Sequence, residues 1–116
     1  MVKENHRQYS YTWEKLHLAV LCLISDDEQW KRIRDAYTSI KIVRLEKEKF
    51  PPHLHDKYDE LMGILEKYEE DFQNCSDRSE GSISFAARNM SEDERRKCCD
   101  IFISLYDSVT RYMPAD

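Results

Sequence analysis

Trp13-Glu14-Lys15-Leu16-His17-Leu18-Ala19-Val20-Leu21-Cys22-Leu23-Ile24 decides how this chain reads, because it is the one run with almost no polar side. Trp13, Leu16, Val20, Leu23 and Ile24 follow helical spacing, while Leu18, Ala19, Leu21 and Cys22 fill the flanks. A helix that is apolar nearly all round belongs in the middle of a packed domain. The run is too short to cross a bilayer, which takes about 20 apolar residues. The spacing therefore predicts a central helix with Leu16, Val20 and Leu23 in the core and the other helices around it.

Working outward, Met1 to Ser10 is polar and is expected to fray, with Ser10 or Thr12 capping the first helix and Glu14 in its first turn. That helix should end near Ser25. Ser25-Asp26-Asp27-Glu28 has the Ser-x-x-Glu pattern of a capping box and predicts a second, antiparallel helix from about Asp27 to Lys49. Trp30, Ile33, Tyr37, Ile40 and Leu45 form its apolar stripe, and Phe50-Pro51-Pro52 stops it. Pro52 suits the first turn of a third helix, in which Leu54, Tyr58, Leu61, Leu65, Tyr68 and Phe72 repeat at steps of four and three. Gly63 lies inside that helix, where it suggests close approach of a neighbour. Asn74 to Ser82 is a loop centred on Gly81, and Ser82 opens a short helix through Ile83, Phe85, Ala86 and Ala87. Ser91-Glu92-Asp93-Glu94 is a second capping box. It opens a last helix whose buried face is Cys98, Phe102, Leu105, Tyr106, Val109 and Tyr112 or Met113.

The expected architecture over residues 1–116 is thus a single all-α domain, a four-to-five-helix bundle with up-down-up-down topology. Composition agrees: only 2 Gly and 3 Pro leave little punctuation for many short strands, and 116 residues suffice for one core. With 35% charged residues against a usual ~25%, the helices have wide solvated faces. The net charge of −5 argues against a protein that grips phosphate backbones. It allows an acidic inhibitor or immunity-type protein that blocks a basic site. Four cysteines without a C-x-x-C spacing, and no secretory signal at the start, point to a reducing cytoplasm.

Tyr11-Thr12-Trp13-Glu14-Lys15-Leu16 with Ala19-Val20, a second helix ending near Phe50-Pro51, Gly81-Ser82-Ile83, Met90-Ser91 and Leu105-Tyr106-Asp107 together resemble a group of small bacterial proteins of uncharacterised function. The resemblance implies a helical fold and a bacterial cytosolic origin. It implies no catalytic residues and no cofactor.

Chemistry-bearing clusters are few. His53 and His55 with Asp59 are the candidate metal ligands, since His55 and Asp59 are four apart on one helix face. The two histidines point differently, however, and as residues of a helix's first turn they need no ligand. A small metal protein or enzyme centred on them is the alternative reading. His17 inside the first helix would be a general base only with a nucleophile and an orienting partner beside it, and no motif nominates either. Cys98 and Cys99 follow Arg95-Arg96-Lys97, whose positive potential can lower a thiol pKa, so a redox sensor stands beside the favoured reading of buried structural cysteine. Arg95-Arg96-Lys97 and Lys31-Arg32-Arg34 are each preceded by acids in the order that supports a helix by i, i+4 pairing. Aromatic residues make up 11% of the chain, and Tyr9, Tyr11, Trp13, Trp30 and Tyr112 lie near helix ends, where a ring can be half-buried; such rings are enriched at interfaces, but core and rim packing is the favoured reading for most of them.

These features point to protein–protein contact as the mode of action, either with a partner protein or with a second copy. A symmetric homodimer is expected from the third helix, where Met62 and Ile64 add apolar groups outside the seam; the alternative is a monomer in which the short segment with Ile83 and Phe85 folds over that stripe.

Overall fold

Periodic apolar faces and few helix breakers give a chain that is helical almost throughout. The computed structural model describes residues 2–114, with side chains from Gln8 onward. Its helices are α1 (Val2–Leu23), α2 (Gln29–Lys41), α3 (His55–Glu66), α4 (Glu69–Gln73), α5 (Ser82–Asn89) and α6 (Glu92–Thr110), with 3-10 turns at Lys47–Lys49 and Pro52–Leu54. No strand occurs among the described residues. The fold is an all-α bundle in which α3 and α4 together occupy the expected third helix.

α1 begins well ahead of Ser10 and Thr12, so neither residue caps it. Thr12 is instead buried, and its hydroxyl donates to the Lys49 carbonyl at 2.6 Å, tying α1 to the segment after α2. Met1 and the side chains of the next six residues lie outside the described residues, and with them most of the stretch expected to fray. The Ser25–Glu28 capping box does not form. Ser25 Oγ donates to the Cys22 carbonyl, Glu28 accepts the Trp30 indole N–H, and α2 starts at Gln29.

α2 stops eight residues short of Lys49, and its end has a clear cause. Arg44 takes the left-handed conformation with φ 53°, and Leu45 N–H reaches back to the Ile40 carbonyl at 2.9 Å. That is a Schellman end, with Leu45 buried as its apolar partner. Ile33, Tyr37 and Ile40 face the core as the spacing predicts.

α3 and α4 are separated at Lys67–Tyr68, where both side chains reach toward α6. Leu54, Leu61, Met62 and Leu65 are all buried within the chain. Tyr58, Ile64 and Tyr68 are half-buried against the same core and Phe72 meets Phe85 with ring centroids 5.6 Å apart, so much of the stripe expected on the third helix packs within the chain. Gly63 has no close neighbour: a Cβ built there meets no heavy atom within 4 Å. At α6 the Ser91 capping box is present in full.

The centre of the molecule is Tyr37, not α1. Its ring packs edge-on against Phe102 at 5.3 Å, and its hydroxyl donates to the Leu61 carbonyl at 2.7 Å. The same oxygen lies 3.2 Å from Cys98 Sγ, so one residue of α2 joins α3 and α6. α1 packs mainly on α2 and α6 and buries one side, Tyr9, Thr12, Leu16, Ala19 and Leu23. Val20, expected in the core beside Leu16 and Leu23, is only half-buried, and Leu18 and Leu21 on the flanks and Ile24 past the helix end are exposed. A helix with two neighbours cannot cover a third face.

Candidate functional site: the outer face of α1

The side chains of α1 fall into three rows. Thr12, Leu16, Ala19 and Leu23 point inward. Trp13 and His17 face α6 through an aromatic seam: Trp13 stacks on His17 with centroids 5.1 Å apart and on Tyr106 at 5.9 Å. The Trp13 indole N–H donates to Thr110 Oγ1 at 2.9 Å, and His17 Nδ1 bonds the Tyr106 hydroxyl at 2.8 Å. Tyr9 meets Tyr112 edge-on at 5.0 Å. These pairs advance along α1 while retreating along α6, so the two helices are antiparallel. Continuing the register by three residues brings Ile103 level with Val20.

The third row faces solvent. Leu18 is 42% exposed, Leu21 46% and Ile24, one residue past the helix, 71%. With Tyr11 they make four of the six large exposed hydrophobic residues among those described, the others being Ile42 and Ile103. Leu16 to Ser25 is also the longest stretch of the chain without Asp, Glu, Lys or Arg. One end of it is bounded by Lys15, 3.6 Å from Glu14 and 5.2 Å from the Tyr11 ring centroid, and the other by Asp26-Asp27-Glu28. The arrangement can bury apolar surface against another protein, and it holds no group placed for acid–base or nucleophilic work.

The other sequence candidates are engaged separately. His53 is exposed, its ring 6.3 Å from Tyr112. His55 Nε2 bonds the Phe50 carbonyl at 3.0 Å, and Asp59 pairs with Lys47 at 3.2 Å. No group of three His, Cys, Asp or Glu side chains is placed to hold a metal ion among the described residues. Cys98 is fully buried, and burial pushes its thiol up to about 11 against the pull of the Tyr37 hydroxyl. The Cys99 thiol is also raised by burial, with Arg32 opposing. Neither environment favours a reactive thiolate. Of the aromatic residues near helix ends, Trp13, Tyr9 and Tyr112 pack within the seam between α1 and α6, as the favoured reading has it. Trp30 is held by Glu28 and lies beneath Lys31 and Arg34. Only Tyr11 remains largely exposed.

Two features escaped sequence reasoning. The basic run at Arg95-Arg96-Lys97 and the capping residue Glu94 serve internal ties: Lys97 pairs with Glu60 at 2.7 Å, and Glu94 accepts from Lys67, Tyr68 and Ser91. Burial alone would raise the Glu94 carboxyl, but those donors hold it at about 2. A glutamate at the third position of a capping box gives only the Ser91 bond as a local signal. A shallow cleft of about 220 Å³ lies between the end of α2 and Tyr58, lined by Ile40, Lys41, Arg44, Leu45 and Glu46. Its cations sit where the α2 dipole already favours them.

No helix of the described residues is long and apolar enough to cross a membrane. The chain matches no family model, no curated protein and no solved structure.

Proposed function

We propose that this protein acts by protein–protein contact and self-associates as a symmetric dimer, using the outer face of α1. One observation carries the reading: Leu18, Leu21 and Ile24 expose apolar surface on the longest stretch of the chain that has no Asp, Glu, Lys or Arg. Clustered apolar exposure marks contact surfaces, whereas isolated exposed leucines need no explanation. A second copy suits the patch because a two-fold contact sets the same surface of both chains together, and a surface without Asp, Glu, Lys or Arg brings no like charges into contact. With a net charge of −5, an uncharged patch is where two such chains can approach.

Sedimentation equilibrium over micromolar concentrations tests this. The expected mass is twice the 14.0 kDa of one chain at the upper end. A single-chain mass at every concentration would sink the proposal.

A further inference from the structure

Arg44 closes α2 at φ 53°, the left-handed position that a Schellman end usually fills with glycine, yet the chain keeps an arginine there. Every other arginine with a described side chain donates a hydrogen bond or forms an ion pair. The Arg44 guanidinium does neither among the described residues, and nor does the Lys41 ammonium three residues before it. The α2 dipole favours a cation in the last turn, which accounts for Lys41 but not for a side chain that strains the backbone beyond it. Both residues line the cleft of about 220 Å³ at the end of α2. Ile40 and Leu45, both buried, give that cleft an apolar base. Tyr58 completes it, its ring tilted on Phe50 with centroids 5.1 Å apart and its hydroxyl without a hydrogen-bond partner among the described residues. Burial, and after it the charges of Glu46, Glu48, Asp59 and Glu66, raise the pKa of that hydroxyl, so it keeps its proton and can donate.

From these unpaired donors around an apolar base we infer that the cleft binds a small organic oxyanion, a carboxylate or phosphate ester carried on a short apolar body. Guanidinium and ammonium groups only donate hydrogen bonds, so the group that satisfies them must accept, and an anion does so most strongly. Glu46, on the same lining, pairs with neither cation and repels such a group, but Lys41 and Arg44 outnumber it. The volume is below the ~300–1,000 Å³ of pockets that enclose a drug-sized ligand, which limits the body to a single ring or a short chain. No residue of α1 lines the cleft, so this site is separate from the face proposed for self-association.

Benzoate and phenyl phosphate serve as probes. Benzyl alcohol supplies the ring without the charge, and inorganic phosphate the charge without the ring. In two-dimensional amide NMR spectra at constant pH and ionic strength, millimolar benzoate or phenyl phosphate should shift the backbone amides of Lys41, Arg44, Leu45 and Tyr58 and approach saturation. Benzyl alcohol and inorganic phosphate should each bind about tenfold more weakly or worse. Arg44→Gly and Arg44→Gln should each weaken benzoate binding by about tenfold or more, whereas Glu46→Gln should tighten it. Glycine suits the left-handed backbone at position 44, so loss of binding in Arg44→Gly is not a loss of fold. Unmoved amides would overturn the site. So would an Arg44→Gly or Arg44→Gln variant that binds benzoate as tightly as the unmodified protein, or inorganic phosphate that binds as tightly as phenyl phosphate. None of these results bears on whether the chain self-associates.

Discussion

Gly63 occupies an exposed position inside α3 where an added methyl group meets nothing within 4 Å. Glycine in a helix interior is disfavoured relative to alanine by about 1 kcal/mol through backbone entropy. Gly63→Ala should therefore raise unfolding stability by about 0.5–1 kcal/mol in a urea titration, and a loss would mean that a neighbour packs on the bare backbone there. Arg44 presents the opposite case. It holds a left-handed conformation at φ 53°, which an L side chain resists and glycine accepts. Arg44→Gly should stabilise by about 0.5–1 kcal/mol, because the Schellman end needs the backbone geometry and the Leu45 contact, not the guanidinium. Destabilisation would show that the Arg44 side chain itself supports the end of α2.

At the scale of the element, α1 has two faces of like composition and unlike energetics. Leu16 is fully buried against the core, and Leu21 is 46% exposed. Leu16→Ala should cost about 2–5 kcal/mol through lost burial and an incompletely collapsed cavity. Leu21→Ala should change the stability of the monomer by less than about 0.5 kcal/mol, as surface substitutions do. Unfolding of both variants at low concentration, where association does not contribute, separates the faces. Equal costs would mean that the outer row of α1 is packed within the chain.

At the scale of the molecule, Glu94 is the tie between the α3–α4 break and the start of α6. It accepts Lys67 Nζ at 2.7 Å and the Ser91 N–H at 2.9 Å, together with the Tyr68 hydroxyl. Its carboxyl titrates at about 2 in the fold, below its ordinary 4.5. A depressed pKa means that the unfolded chain takes up the proton first, so the stabilisation is complete above pH 4.5 and is lost as the pH falls through 2. Glu94→Gln should cost about 1.5–3 kcal/mol at pH 7, where the bonded group is charged. The gap between the variant and the unmodified protein should then narrow steadily below pH 4.5 in urea titrations. A gap independent of pH would remove the carboxylate from the account.

Much of this was legible from residues alone, and the rest divides by the range of the forces involved. The helical class, the inward face Ile33–Tyr37–Ile40 and the start of α6 at Ser91 depend on side chains three or four positions apart, so local spacing and capping chemistry determine them. The end of α2 does not: Arg44 adopts its unfavourable φ because Leu45 is buried beyond it, and burial is a property of the packed molecule. The same holds for Ser25, whose pattern matches a cap that never forms, and for the break at Lys67–Tyr68, drawn toward a glutamate on a distant helix. The candidate site was the least legible of all. A helix apolar on every side carries no periodic signal of which side is outside, so only the packing of α2 and α6 against α1 decided that Leu18, Leu21 and Ile24 face solvent.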